Sequence, residues 1–231
     1  MTDAVKFRNR RYSPDEENAD FQYFALSFSA GLFQWSALRA RRFLTMKKET
    51  KKTVIKDAIM AMLTALSVVL VSTIHIPLIP AAPFLEYDPA DIPILIGSLI
   101  LGPIPGVIIL IAVCVIQAMT VSASSGIIGF LMHFIASSVL ILIPSVIYRK
   151  KQTIPSLIIG LVLGTLAMTV VMIPLNLLFT GIFLGAGVET VGKMLIPAII
   201  PFNLIKAAIN SAITFAVFTP ISGVLKKYLK H

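Results

Sequence analysis

The sequence predicts an all-α membrane protein, a bundle of six transmembrane helices with both termini in the cytoplasm. Of its 231 residues, 57% are hydrophobic and only 13% are charged, which is about half the charge of a soluble domain. The chain has a net charge of +9, and many of its cations lie at the ends of long apolar segments. Lysines and arginines in such positions mark the cytoplasmic side of a membrane protein. We therefore expect the protein to lie in a lipid bilayer and not to bind nucleic acid.

The first 45 residues differ from the remainder of the chain. Residues 1–20 are polar and charged, which favours disorder, and the apolar stretch at 21–35 is too short to span a bilayer. Met46 opens a lysine-rich segment directly before the first long apolar run. We therefore predict a disordered, dispensable N-terminal extension over residues 1–45. A six-helix transmembrane substrate-binding domain is predicted over residues 46–231.

The first span is predicted over residues 53–74. Ala58, Ala61 and Ala65 are spaced three and four residues apart, so they lie on one face of a helix. Small residues along a helix face let a second helix approach closely. This alanine face therefore permits docking of a partner helix.

A proline-rich segment, residues 75–93, follows on the outer side of the membrane. Its five prolines exclude a regular helix, yet it is more apolar than an ordinary loop and carries Glu86, Asp88 and Asp91. Such a segment suits either a lid or cavity wall near the membrane surface, or a re-entrant connection packed on the bundle. The residues alone leave both interpretations open.

Five further spans are predicted after this loop. Residues 92–148 contain no Asp, Glu, Lys or Arg, and at about 20 residues per span they must hold at least two helices. Clusters of glycine, proline and serine break this run twice, and a glycine-rich segment at 185–193 is predicted to be a flexible loop. The resulting spans are 91–102, 105–121, 127–148, 155–184 and 194–224.

The basic residues support a total of six spans. Lysines precede the first span, a basic triplet at 149–151 follows the fourth, and lysines close the chain after the sixth. Six spans place all three groups in the cytoplasm, as the positive-inside rule requires. Five spans would divide these groups between the two sides of the membrane.

The sixth span carries the main candidate binding residues. Asn203, Lys206 and Asn210 are separated by three and four residues, which places them on one helix face. A lysine in the middle of a bilayer costs about 3 kcal/mol on insertion scales and usually faces a polar interior. Asn176 and Gln117 are further polar candidates in other spans. The alternative is that Lys206 snorkels to the membrane surface and the asparagines join helices.

Three motifs resemble those of the riboflavin-binding S components (RibU type) of energy-coupling factor (ECF) transporters. They are the segment Phe84–Pro93 with the following Leu101–Gly106, the last-helix motif Pro201–Lys206, and the alanines Ala61 and Ala65, which match a docking element shared by S components generally. The resemblance covers about residues 47–231.

The resemblance implies a subunit of the bacterial plasma membrane that captures riboflavin from outside. It implies assembly with a transmembrane T component and two cytoplasmic ATPases, whose hydrolysis drives release inside. It also implies flavin contacts in the last two spans, closure of the outer loop over the ligand, and docking through the alanine face. Together with the polar stripe, the predicted substrate-binding residues are Asn203, Lys206, Asn176, Ala82, Phe84 and Asn210, and the predicted docking residues are Ala58, Ala61 and Ala65.

The residues alone leave other functions open. The pocket residues would also suit an S component for thiamine or pantothenate, and the acidic proline-rich loop is what favours riboflavin. A gradient-driven carrier is less compatible with a chain that has no internal repeat and no membrane-embedded acid. An enzyme would need a catalytic constellation that the spans lack, and no GxxxxGK[ST] motif is present for ATP hydrolysis. The lone Cys114 and the isolated histidines predict no metal site and no cofactor.

Overall fold

The computed structural model describes residues 14–80, 82–123 and 125–229, which are helical apart from a short β ribbon. The chain divides into two units, Met1–Ile55 and Lys56–His231, and the contacts described below lie within the second. The elements are α1 (Pro14–Thr73), β1 (Ile76–Pro77), β2 (Glu86–Tyr87), α2 (Asp91–Leu101), α3 (Pro103–Met119), α4 (Gly126–Lys151), α5 (Ile154–Leu175), a π-helical segment (Asn176–Thr180), α6 (Gly181–Leu184), α7 (Val188–Met194), a second π-helical segment (Leu195–Ile199) and α8 (Ile200–Leu229).

Helix α1 begins within the predicted extension. Residues 14–45 are helical in the structure, although the sequence predicts disorder for residues 1–45. No proline occurs between Pro14 and Pro77, and Gly31 is the only glycine there, so no strong helix breaker interrupts this stretch. Residues 1–13 lie outside the described residues, and the domain boundary at residue 45 stays a prediction.

Four helical segments of the described chain are long and apolar enough to cross a membrane. They are Glu49–Thr73, Gly126–Lys151, Ile154–Leu184 and Val188–Gly223. Helices α2 and α3 have 11 and 17 residues, or about 17 and 26 Å at 1.5 Å per residue, against a hydrocarbon core of about 30 Å. The predicted class, an all-helical membrane protein, is confirmed, and α2 is the short second helix that the sequence predicts.

The turn between α2 and α3 depends on a glycine. Gly102 has a φ of +107°, a backbone conformation that L side chains rarely adopt. Its N–H donates to the Ser98 carbonyl at 3.0 Å, which is the last backbone hydrogen bond of α2. Pro103 then begins α3 at the position where a helix needs no N–H donor. The predicted break in the apolar run is therefore a sharp turn between two helices.

Helices α4 and α5 pack closely because two glycines of α5 face a proline of α4. A Cβ added to Gly160 would lie 2.8 Å from the Pro144 Cα, and one added to Gly164 would lie 3.0 Å from the Leu140 carbonyl oxygen. The N-terminus of α5 is held by a capping box between Thr153 and Ser156. These features hold α4 and α5, two of the long apolar helices of the bundle, against each other.

The chain after α5 is less regular than the sequence predicts. Each π-helical segment follows or contains a proline, Pro174 and Pro197 respectively, and a proline removes one N–H from the helical ladder. The glycines at 185–193 predict a flexible loop. The structure shows a loop only up to Gly187, because α7 begins at Val188. Gly185 ends α6 with a φ of +62°, and beyond Gly187 the sequence Val-Glu-Thr-Val offers no helix breaker.

The proline-rich loop is packed onto the N-terminal end of α8. Ile76 pairs with Tyr87 and Pro77 with Glu86 in the antiparallel ribbon β1–β2. Leu85 and Tyr87 of this loop are buried in a small core with residues of α7, the second π-helical segment and α8. A larger core joins α2, α3, α4, α5 and α8. The loop is therefore packed on the bundle, and two of its carboxylates, Asp88 and Asp91, contact α8.

Candidate ligand-binding site

A cavity of about 380 Å³ lies among the proline-rich loop, the α3–α4 turn, and helices α3, α4, α5 and α8. Its wall combines aromatic rings and methionines with a limited number of polar groups, a composition typical of small-molecule sites. The apolar side chains are Phe84, Met132, Met168, Met172, Phe183 and Phe202, and the main polar ones are Glu86, Asp88, Gln117, Ser122, Ser125, His133, Ser137, Asn203 and Lys206.

Lys206 forms a buried ion pair in this wall. Its Nζ donates to Asp88 Oδ2 at 2.7 Å, and both residues are buried. The other carboxylate oxygen, Asp88 Oδ1, accepts from the Ala90 N–H at 3.2 Å. Burial by itself would raise the pKa of the Asp88 carboxyl, but the Lys206 charge and the hydrogen bonds lower it below its ordinary value. Lys206 therefore does not snorkel to a membrane surface.

A second buried carboxylate, Asp91, ties the start of α2 to α4 and α8. Ser137 Oγ donates to Asp91 Oδ1 at 2.6 Å, and Asn210 Nδ2 donates to Asp91 Oδ2 at 3.4 Å. The Tyr87 hydroxyl donates to Asn210 Oδ1 at 3.0 Å. The loop, α4 and α8 are thus joined by hydrogen bonds directly behind the cavity wall. His133 Nε2 lies 3.7 Å from Asp91 Oδ1.

Three of the predicted substrate-binding residues line the cavity. Lys206 and Asn203 do so from α8, and Phe84 from the loop. Asn203 Nδ2 donates to the Ile199 carbonyl at 2.8 Å, one turn earlier in the helix. Its other amide atom, Oδ1, is buried without a hydrogen-bond partner in the described part of the chain. Asn203 therefore carries an unpaired acceptor in a residue that lines the cavity.

The other three predicted residues lie outside the set that lines the cavity. Ala82 is fully buried in the small core beneath the loop, and Asn210 is engaged with Tyr87 and Asp91. Asn176 Nδ2 donates to the Met172 carbonyl at 2.8 Å, while its Oδ1 accepts from Thr180 at 2.8 Å. A direct ligand contact by these three residues stays a prediction.

Sequence reasoning missed the pairing of the acidic residues. Asp88 and Asp91 were interpreted as charges of an outer loop, and His133 as an isolated histidine, whereas all three meet near Lys206. A signal was present, because an intramembrane lysine normally has a counter-charge. The proline-rich loop, an apolar segment with three carboxylates, was a candidate to supply one.

The predicted docking residues lie on an exposed face of α1. Ala58, Ala61 and Ala65 are exposed on α1. Met62 and Leu66, which neighbour them, are exposed by 72% and 49%. This side of α1 therefore presents small residues flanked by apolar side chains.

Comparison with known proteins gives consistent matches over most of the chain. The family described as "ECF transporter, substrate-specific component" matches residues 56–218. Riboflavin transporter RibU of Streptococcus thermophilus is 31% identical over 180 residues, which are 74% of this chain and 85% of that protein. Riboflavin transporter RibU of Staphylococcus aureus is 29% identical over 82% of this chain and 100% of its own. Riboflavin transporter FmnP of Bacillus subtilis is 27% identical over 71% of this chain and 90% of its own.

A solved structure described as the S component of a bacterial ECF transporter matches with a TM-score of 0.66 and 28% identity. The match covers 75% of this chain and 99% of that one. The residues that line the cavity all fall within residues 56–218, the region that the family match covers.

Proposed function

Because the chain belongs to the family of ECF transporter substrate-specific components, we propose that it is the riboflavin-binding subunit of such a transporter. It is a multi-pass membrane protein of a bacterium and a transport subunit without enzymatic activity of its own. The substrate is the proposal, and it is supported by relatives that carry the name riboflavin transporter.

The observation that carries the proposal is the match between the α8 wall and the polar edge of a flavin. This edge presents a carbonyl oxygen, a ring N–H and a second carbonyl oxygen. Asn203 Oδ1 is an unpaired acceptor for the N–H. Lys206 has three N–H donors, and Asp88 takes one of them, so donors remain for a carbonyl oxygen. Phe84 and the cavity methionines supply apolar contacts for the ring.

The remaining predicted residues have supporting roles in this proposal. Asn210 forms hydrogen bonds with Tyr87 and Asp91. Asn176 forms hydrogen bonds with residues one turn away in its own helical segment. Ala82 leaves room for the loop to pack against α8. These contacts support the wall that carries Asn203 and Lys206.

We also propose six membrane spans with both termini in the cytoplasm, counting α2 and α3 as spans together with the four longer segments. The positive-inside rule supports this orientation, because the basic ends of the spans then share one side. The exposed face of Ala58, Ala61 and Ala65 would dock on a transmembrane T component. Two cytoplasmic ATPases would supply the energy, since the chain has no GxxxxGK[ST] motif.

The test is the visible absorption spectrum of the protein purified in detergent, before and after addition of riboflavin. We expect a flavin spectrum that stays with the protein through gel filtration, or saturable quenching of added riboflavin fluorescence. Asn203→Ala should weaken binding by about 1–3 kcal/mol, because it leaves a polar group of the ligand unpaired. Leu204→Ala, on the exposed side of the same helix, is the matched control. Folded protein that neither carries nor quenches riboflavin would refute the substrate and direct screening to other vitamins.

A further inference from the structure

We propose that Gln117 and His133 form a second polar subsite of the cavity, which binds the neutral, hydroxylated chain of the flavin. This inference rests on the proposed function, because it assigns one part of riboflavin to one wall of the same cavity. The wall consists of α3, α4 and the turn between them. It is separate from α8, which carries Asn203 and Lys206.

Both residues have a buried polar atom that no described residue satisfies. These atoms are Gln117 Oε1 and His133 Nε2. The other amide atom of Gln117 is engaged, because its Nε2 donates to Ser122 Oγ at 3.2 Å. Buried polar atoms in folded proteins are normally hydrogen-bonded. Because both residues lie in the cavity wall, a bound ligand would supply the missing hydrogen bonds.

The acidic neighbour of His133 does not satisfy it. The distance of 3.7 Å from His133 Nε2 to Asp91 Oδ1 exceeds that of a hydrogen bond. Asp91 instead accepts from Ser137 at 2.6 Å and from Asn210 at 3.4 Å. His133 is thus held beside a carboxylate whose oxygens already have donors, and its Nε2 has no hydrogen bond within the described residues, while the residue itself lines the cavity.

The chemistry of this wall fits a polyol. Among the described residues that line the cavity, α3, α4 and their connecting turn contribute no Lys, Arg, Asp or Glu. Their polar groups are the Gln117 amide, the His133 imidazole and the hydroxyls of Ser122, Ser125 and Ser137. Amides and hydroxyls offer both donors and acceptors, and an imidazole offers at least one N–H donor, which is what a chain of hydroxyl groups requires. The ammonium of Lys206 and the carboxylates of Glu86 and Asp88 lie on other elements.

The test compares riboflavin with lumiflavin, which has the same ring system but a methyl group in place of the hydroxylated chain. Dissociation constants are measured by fluorescence quenching for the full-length protein in detergent. Gln117→Leu and His133→Leu should each weaken riboflavin binding about tenfold and leave lumiflavin binding unchanged. Ser138→Ala is the matched control: Ser138 Oγ is likewise buried without a partner in α4 but does not line the cavity. This variant should bind both flavins like the wild type.

Lumiflavin binding also reports whether each variant is folded. If a leucine variant cannot be purified, Gln117→Met and His133→Met provide the same test with unbranched side chains. Equal weakening of both flavins would overturn the subsite, because the residues would then contact the ring or only support the fold. Unchanged riboflavin affinity in both variants would also overturn it. Wild-type protein that binds neither flavin would overturn the proposed function together with this assignment.

Discussion

The buried ion pair between Asp88 and Lys206 makes the sharpest stability prediction. At a separation of 2.7 Å and an effective dielectric constant of about 20, two unit charges attract by about 6 kcal/mol. Removing both charges from water costs several kcal/mol per ion, so the pair as a whole contributes little net stability. Removing one partner is different, because the remaining charge is buried and uncompensated. Each single variant should therefore lose about 3–5 kcal/mol.

The variants are Asp88→Asn, Lys206→Met and the double variant, and the assay is thermal unfolding in detergent without ligand. Taking about 2–4 °C per kcal/mol for a domain of this size, each single variant should melt about 10 °C below the wild type. The double variant should melt well above either single variant. Glu86→Gln is the matched control: it removes a half-exposed partner of His75 at 3.0 Å and should cost less than about 1 kcal/mol. Additive losses in the double variant would refute the buried pair.

The same pair predicts a pH dependence. The pKa of Asp88 is lowered in the folded protein, so its stabilising effect is fully present above the unfolded carboxyl value of about 3.9. The effect is lost as the pH falls through the lower folded value. Wild-type stability should therefore include an acid-sensitive component below about pH 4 that Asp88→Asn lacks. An identical acid profile for the two proteins would contradict this linkage.

Three further changes test the bundle, the docking face and the N-terminal extension. Gly164→Leu should destabilise the protein by about 1–3 kcal/mol in thermal unfolding, because the added side chain meets the α4 main chain; Gly192→Ala, with open space around it, should not. Replacing Ala61 and Ala65 together by leucine should abolish co-purification with a T component and leave riboflavin quenching intact; a complex that still assembles would place the docking face elsewhere. Deleting residues 1–45 should preserve both expression and riboflavin binding, and a loss of either would show that the extension is needed.

Much of the helical architecture could be predicted from local sequence alone. The apolar run at 92–148 ends where charge appears, and its glycine and proline clusters coincide with the helix ends at Leu101 and Pro103. The predicted loop at 185–193 is only partly correct. Its glycine content indicates flexibility, but α7 forms from Val188 onward. Glycine lowers helix propensity by only about 1 kcal/mol, which tertiary packing can overcome, and Val191 of α7 is fully buried.

The polar stripe on the last span could also be predicted, because helical periodicity alone places Asn203, Lys206 and Asn210 on one face. All three are buried in the structure. Periodicity does not reveal what lies opposite that face. The sequence therefore identified Lys206 as a residue in need of a polar environment and left its partner unnamed.

The sequence by itself determined the membrane class, the order of the helices and the residues that must avoid lipid, because hydropathy and charge act locally along the chain. Only the tertiary structure decided which polar groups meet. Lys206 and Asp88 are 118 residues apart, and Asn210 and Asp91 are 119 apart. Such contacts depend on how the proline-rich loop packs onto α8. The tertiary structure also brings Asn203, Gln117 and His133, each with a buried unpaired atom, to the wall of one cavity, because only the fold decides which groups lie beside a buried polar atom.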